Sequence, residues 1–174
     1  LPKAVCQFFA TDGAGGMDDL AENEAPPGDV GRVAFLLGGD RVLRHRLTSS
    51  LDAHDMLMRG LPGAALRYLV DGLTALRRPD SLEKAFGMSL RTYQRRRDAP
   101  DQRLSQEQSG RTWKFAEILA RATALLGSQP EAEHWLERPA TGLDQRRPID
   151  LLVTPAGCEM LAAFLTRLEV GVYT

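Results

Sequence analysis

Residues 81–97 read SLEKAFGMSLRTYQRRR, two short segments with apolar residues at helical spacing, broken at Gly87. The layout predicts helices over 82–86 and 90–97. Each follows a serine, Ser81 or Ser89, whose hydroxyl can accept a hydrogen bond from the free amides of a first helical turn. Gly87 supplies the positive φ that a tight turn between two helices tends to need. Met88, Leu90 and Tyr93 then hold the second helix on a core, which leaves Arg91, Thr92, Gln94, Arg95 and Arg97 facing outward. That is the layout of a helix-turn-helix, with the second helix carrying arginine and amide side chains suited to base edges and phosphates; the alternative for the arginine run is a solvated helix end whose charge offsets the dipole. One position departs from the layout: Glu83 stands four residues before Gly87, where a small side chain usually lets the two helices approach, which leaves close crossing there an open question.

Helical spacing continues on both sides, and beyond Val33 no stretch alternates strictly between apolar and polar for more than four residues, which predicts an all-α protein. Upstream, Pro62 suits the first turn of a helix whose buried stripe is Ala65, Leu66, Leu69, Val70 and Leu73, with Gly72 weakening its end. Downstream, a long helix is expected over 106–126, with Phe115, Ile118, Leu119, Ala122, Leu125 and Leu126 on one face and Gly127 as its C-terminal cap. A helix over 130–137 carries Glu131 and Glu133 in its first turn, favourable to the dipole, and Pro139 stops it. Thr154 and Pro155 open a last helix, in which Cys158, Leu161, Ala162, Leu165 and Leu168 share a face as far as Gly171.

The chain has 174 residues, enough to bury about two thirds of its surface. Its 43% hydrophobic and 26% charged content excludes collagen-like and wholly disordered chains. Charge is placed unevenly. Residues 1–29 set Lys3 against six acidic side chains, and residues 77–103 set eight basic side chains against four acidic ones, a local basic patch on a nearly neutral protein. Residues 11–31 are rich in glycine, proline and acid, and read as a flexible acidic arm. The two cysteines, Cys6 and Cys158, lack the spacing of a disulfide or zinc framework, which points to the reducing cytoplasm. No apolar run approaches the roughly 18 residues of a membrane span.

Little in the chain points to catalysis. Histidines 45, 54 and 134 fall on separate elements with no second ligand at metal spacing, and no nucleophile elbow, phosphate-binding glycine loop or activated cysteine is present. The expectation is a binder with no cofactor and no metal. In the loop before the last helix, Arg146, Arg147 and Asp150 flank Pro148, and Asp150 reads as a helix cap rather than a catalytic carboxylate.

Four segments in order, GLPGAALRYLVDGL, GMSLRTYQRRR, RLSQEQSGRTWKFAEILARATALLG and RRPIDLLVTPAGCEMLAAFLTRLEVGVYT, resemble the Xre/MbcA/ParS family of antitoxins. The likeness runs from about Val33 to Thr174 and is most distinctive in the last thirty residues. Beyond the acidic N-terminal arm (1–31) read from composition, it implies a helix-turn-helix region for DNA binding and dimerisation (32–100) and a toxin-binding helical region (101–174). It also implies a RES-domain toxin as partner, acting on NAD by degradation or ADP-ribosyl transfer, with its NAD pocket blocked by the antitoxin. Homodimerisation and repression of the antitoxin's own operon would follow from the same likeness. The expected DNA-contacting set is Ser89, Arg91, Thr92, Gln94, Arg95, Arg96 and Arg97. The expected toxin-contacting set is Arg146, Arg147, Asp150, Leu151, Leu152, Thr154, Arg167, Val172, Tyr173 and Thr174. The alternative reading is a helix-turn-helix transcriptional regulator that acts without a toxin.

Overall fold

Helix α7 (Gln106–Leu126) is the element around which the others gather. Ser105 opens it with a capping box: its hydroxyl accepts from the Gln108 amide at 3.2 Å, and the Gln108 side chain accepts from the Ser105 amide in return. Gly127, at φ 87°, closes it. The computed structural model describes residues 28–171, and no β-strand occurs among them. Before α7 come α1 (Asp29–Leu36), α2 (Gly39–Leu43), α3 (Ser50–Arg59), α4 (Gly63–Asp71), α5 (Pro79–Phe86) and α6 (Leu90–Arg97). After it come α8 (Gln129–Glu137), a 3-10 turn at Thr141–Leu143, α9 (Pro148–Leu151) and α10 (Pro155–Glu169). Helices α1, α3, α5, α8 and α10 all pack on α7.

The all-α expectation holds, and the long helix has the bounds its periodicity predicts. Its inner face buries Phe115, Ile118, Leu119 and Ala122, while Leu125 is half-buried and Leu126 is exposed. The last turn overshoots the core, so Leu126 gains nothing from the face it shares. Phe115 meets Phe86 of α5 edge-on, with centroids 5.0 Å apart, the geometry aromatic quadrupoles favour. One continuous apolar cluster runs from Val33 to Leu165, so the regions before and after α7 share a core.

Two expected roles are corrected. Ser81 does not cap a helix: α5 begins at Pro79, and Ser81 lies inside it, fully buried, donating to Glu137 Oε1 at 2.6 Å. Glu133 is not a first-turn dipole partner. Helix α8 begins at Gln129, capped by Ser128, and Glu133 is completely buried one turn further on. Its Oε2 accepts the consecutive amides of Thr74 (2.8 Å), Ala75 (2.6 Å) and Leu76 (2.9 Å), and its Oε1 accepts from the Gln129 side chain at 2.7 Å. The segment between α4 and α5 thus makes its hydrogen bonds to a carboxylate of α8.

Of the expected arm, residues 29–31 are helical, the first turn of α1. Residues 1–27 lie outside the described residues.

Candidate functional site

Gly87 ends α5 in the left-handed region, φ 64°, with its amide donating to Glu83 O at 2.8 Å. A side chain here would be strained by the positive φ and would press on the Arg111 guanidinium. Ser89 then caps α6 as expected: its hydroxyl accepts from the Thr92 amide at 3.3 Å and hydrogen-bonds the Thr92 hydroxyl at 3.1 Å. Glu83 does not obstruct the pair, since its side chain is exposed while Ala85 and Phe86 face the core.

Helix α6 has no fully buried residue. Met88 and the half-buried Tyr93 seat it, but Leu90 is 42% exposed and does little of that work. Burial raises the Tyr93 phenol above its ordinary pKa, assisted by Asp71 and opposed by Arg97 and Arg67. Arg91, Gln94 and Arg95 point into solvent without a hydrogen bond or ion pair to any described residue, and Arg97 lies 3.8 Å from Asp98. Arg96 behaves differently. Its guanidinium donates to Gln102 Oε1 at 2.7 Å and to Arg103 O at 3.3 Å, holding the 98–104 loop rather than facing outward. The exposed side chains best placed for a nucleic acid are therefore Arg91, Gln94, Arg95 and Arg97.

The turn is fastened from the C-terminal side. Arg111 of α7 donates to Lys84 O at 2.8 Å and to Val153 O at 3.4 Å, bridging the end of α5 to the segment between α9 and α10. Lys84 Nζ donates to Asp150 Oδ1 at 2.7 Å. Arg147 grips the same carboxylate through two bonds of 2.9 and 2.7 Å and reaches Asp80 at 3.6 Å. These bonds, with Arg147 the foremost cause, hold the Asp150 carboxyl below its ordinary pKa. Asp150 is thus no helix cap; it is held by Lys84 of α5 and by Arg147, and both Arg147 and Asp150 keep part of their side chains exposed.

Leu151 and Leu152 are buried in the chain's own core, a second correction to the expected partner-facing set. They pack there because α10 starts hard against α9: a Cβ at Gly157 would overlap the Leu151 carbonyl. The Thr154 hydroxyl caps α10, accepting from the Gly157 amide at 3.1 Å, though the residue itself is exposed. Arg146 is exposed. Arg167 is exposed too, its guanidinium 5.9 Å from the centre of the Phe164 ring, which in turn stacks on Trp135. Val172, Tyr173 and Thr174 lie outside the described residues.

Helix α10 carries a feature missed in the sequence. Besides the inward face with Leu161 and Leu165, an outward stripe runs through Ala156, Met160, Ala163, Arg167 and Val170, with Met160 53% and Val170 67% exposed. The steps of four, three, four and three residues were present as a second helical period, hidden by the stronger leucine pattern. Val153, also exposed, lies just before the start of the stripe. No group of histidine, cysteine, aspartate and glutamate able to hold a metal occurs among the described residues, and no helix there is long and apolar enough to cross a membrane.

Two family models match the chain. Residues 52–117 match the family model described as the antitoxin Xre-like helix-turn-helix domain, and residues 121–171 match that of the antitoxin Xre/MbcA/ParS C-terminal toxin-binding domain. The first match ends and the second begins inside α7. Among curated proteins, the chain is 34% identical over 92 residues to Antitoxin Xre of Yersinia enterocolitica serotype O:8 / biotype 1B (strain NCTC 13174 / 8081). That alignment covers 52% of this chain and 62% of the relative's length.

Proposed function

From a chain in which an Xre-like helix-turn-helix domain precedes an Xre/MbcA/ParS C-terminal toxin-binding domain, we propose an antitoxin that sequesters a RES-domain toxin and represses its own operon. The observation that carries this reading is the outward apolar stripe of α10 within the segment matched to a toxin-binding domain. A soluble helix normally turns such a stripe inward, and a partner surface is the physical use for a second one. Stable inhibition calls for a contact of at least roughly 1,000 Å². Ala156, Met160, Ala163 and Val170 of the stripe supply the apolar part of the contact, and Arg167, lying between them, and Arg146 supply charged groups. A blocker of this kind contributes shape and needs no reactive group. Occlusion of the toxin's NAD pocket by the stripe and the residues that follow it is the mechanism we infer, with two copies of the chain joined through the helix-turn-helix region.

Co-expression tests the reading. The chain should restore growth to cells making the RES-domain toxin, and Met160→Asp should abolish rescue while leaving the chain folded, because Met160 is exposed. Failure of the unaltered chain to rescue would reject the proposal.

The exposed arginines of α6 favour a second reading, a regulator that needs no toxin. It predicts operator binding by the chain alone and normal viability when residues 170–174 are removed. As an antitoxin, the same deletion releases toxicity while DNA binding survives.

A further inference from the structure

Residues 41–46 read RVLRHR, a basic cluster outside the helix pair α5 and α6. Leu43 and Leu47 are buried on either side of Arg44, His45 and Arg46, which are all exposed. Arg44 closes α2 in the left-handed region, φ 55°, a common way for a helix to end though uncommon for a residue with a Cβ. The buried leucines hold it there.

The cluster lies beside the C-terminal end of α6. Arg44 Nη2 donates at 3.3 Å to Asp101 Oδ1, in the loop that follows α6. That loop is fixed on both flanks. Arg96 ties it to α6, and the Gly63 and Ala64 amides of α4 donate to Gln102 O and Pro100 O at 3.0 and 2.9 Å. Val42 and Pro100 also line one groove with Arg67. The acidic groups in the neighbourhood are Asp40, Asp71, Asp98 and Asp101. Three of them lie within ion-pair distance of an arginine: Asp71 with Arg67, Asp98 with Arg97, and Asp101 with Arg44. Arg46 has no hydrogen-bond or ion-pair partner among the described residues. The Arg44–Asp101 pair is 80% and 89% exposed, so it is weak and easily exchanged.

We propose that Arg44 and Arg46 form a second phosphate-binding surface, gripping the backbone of duplex DNA beside the stretch whose groove receives α6. The proposal rests on the reading of α6 as a DNA-contacting helix. A guanidinium matches two phosphate oxygens at once, and a phosphate displaces Asp101 from Arg44 with no buried contact broken. Such contacts add affinity and orientation without reading bases.

The test measures binding of the full chain, across a range of salt concentrations, to two duplexes of equal length: the DNA upstream of its own coding sequence and a shuffled control. Arg44→Gln with Arg46→Gln should lower the salt slope by about two on both duplexes and leave the preference between them unchanged. Asp101→Asn should tighten binding to both. An unchanged slope in the double variant, or weaker binding with Asp101→Asn, overturns the proposal while α6 stands. So does a double variant that keeps its DNA slope but loses the toxin, since the cluster would then serve a protein partner. If the unaltered chain binds neither duplex, the reading of α6 falls, and this one with it.

Discussion

Lys84, on the first helix of the helix-turn-helix, donates to Asp150 of the C-terminal segment at 2.7 Å, and Arg147 holds the same carboxylate from the other side. With Arg111 bonded to both Lys84 O and Val153 O, the helix pair matched to a helix-turn-helix domain and the segment matched to a toxin-binding domain are fixed relative to each other.

Both partners of the Lys84–Asp150 pair are partly exposed, so its worth is modest, about 0.5–1 kcal/mol after screening by water. A double-mutant cycle with Lys84→Met and Asp150→Asn, followed by urea unfolding, should return a coupling of that size. Additive losses would mean the pair contributes nothing.

Glu133 bears far more. Replacing it with alanine strands three consecutive amides and opens a cavity at a fully buried position, which should cost at least about 3 kcal/mol. Glu133→Gln, which keeps an acceptor, should cost less. Urea unfolding measures both, and a loss under about 1 kcal/mol for alanine would show that the 74–76 amides find water instead.

Asp52 gives a pH signature. The Thr48 hydroxyl is the largest influence, followed by the Thr48 amide and Ser49; together they lower its pKa from 3.8 to about 2, by donating to the ionised form. A pKa depressed by folding stabilises the protein above the unfolded value, and that stability is lost as pH falls through the folded one. The Tm gap between the unaltered chain and Asp52→Asn should be full above about pH 4 and close toward pH 2. A gap independent of pH would contradict this.

The fold was legible wherever local chemistry decided it. Ser105, Gly127, Ser89 and Gly87 mark helix ends through hydrogen bonds to neighbouring amides or through φ, and these depend on the sequence nearby. The site was legible only in part, because its residues answer to distant ones. Ser81 looks like a cap until Glu137 reaches it, 56 positions on, and Arg96 looks like a DNA contact until the 98–104 loop folds back on it. Leu151 and Leu152 carry no mark of which surface they meet. The stripe on α10 was readable, but periodicity ranks leucine above alanine and methionine, so only the inward face stood out.

The most direct measurement is a titration of NAD consumption by the proposed RES-domain partner toxin, purified, with the full chain. Consumption should fall linearly and stop at the stoichiometric ratio of the complex, and Met160→Asp should shift the curve far to higher concentration. Continued consumption by a toxin fully bound to the chain would show that the NAD pocket stays open, and that the α10 stripe does not close it.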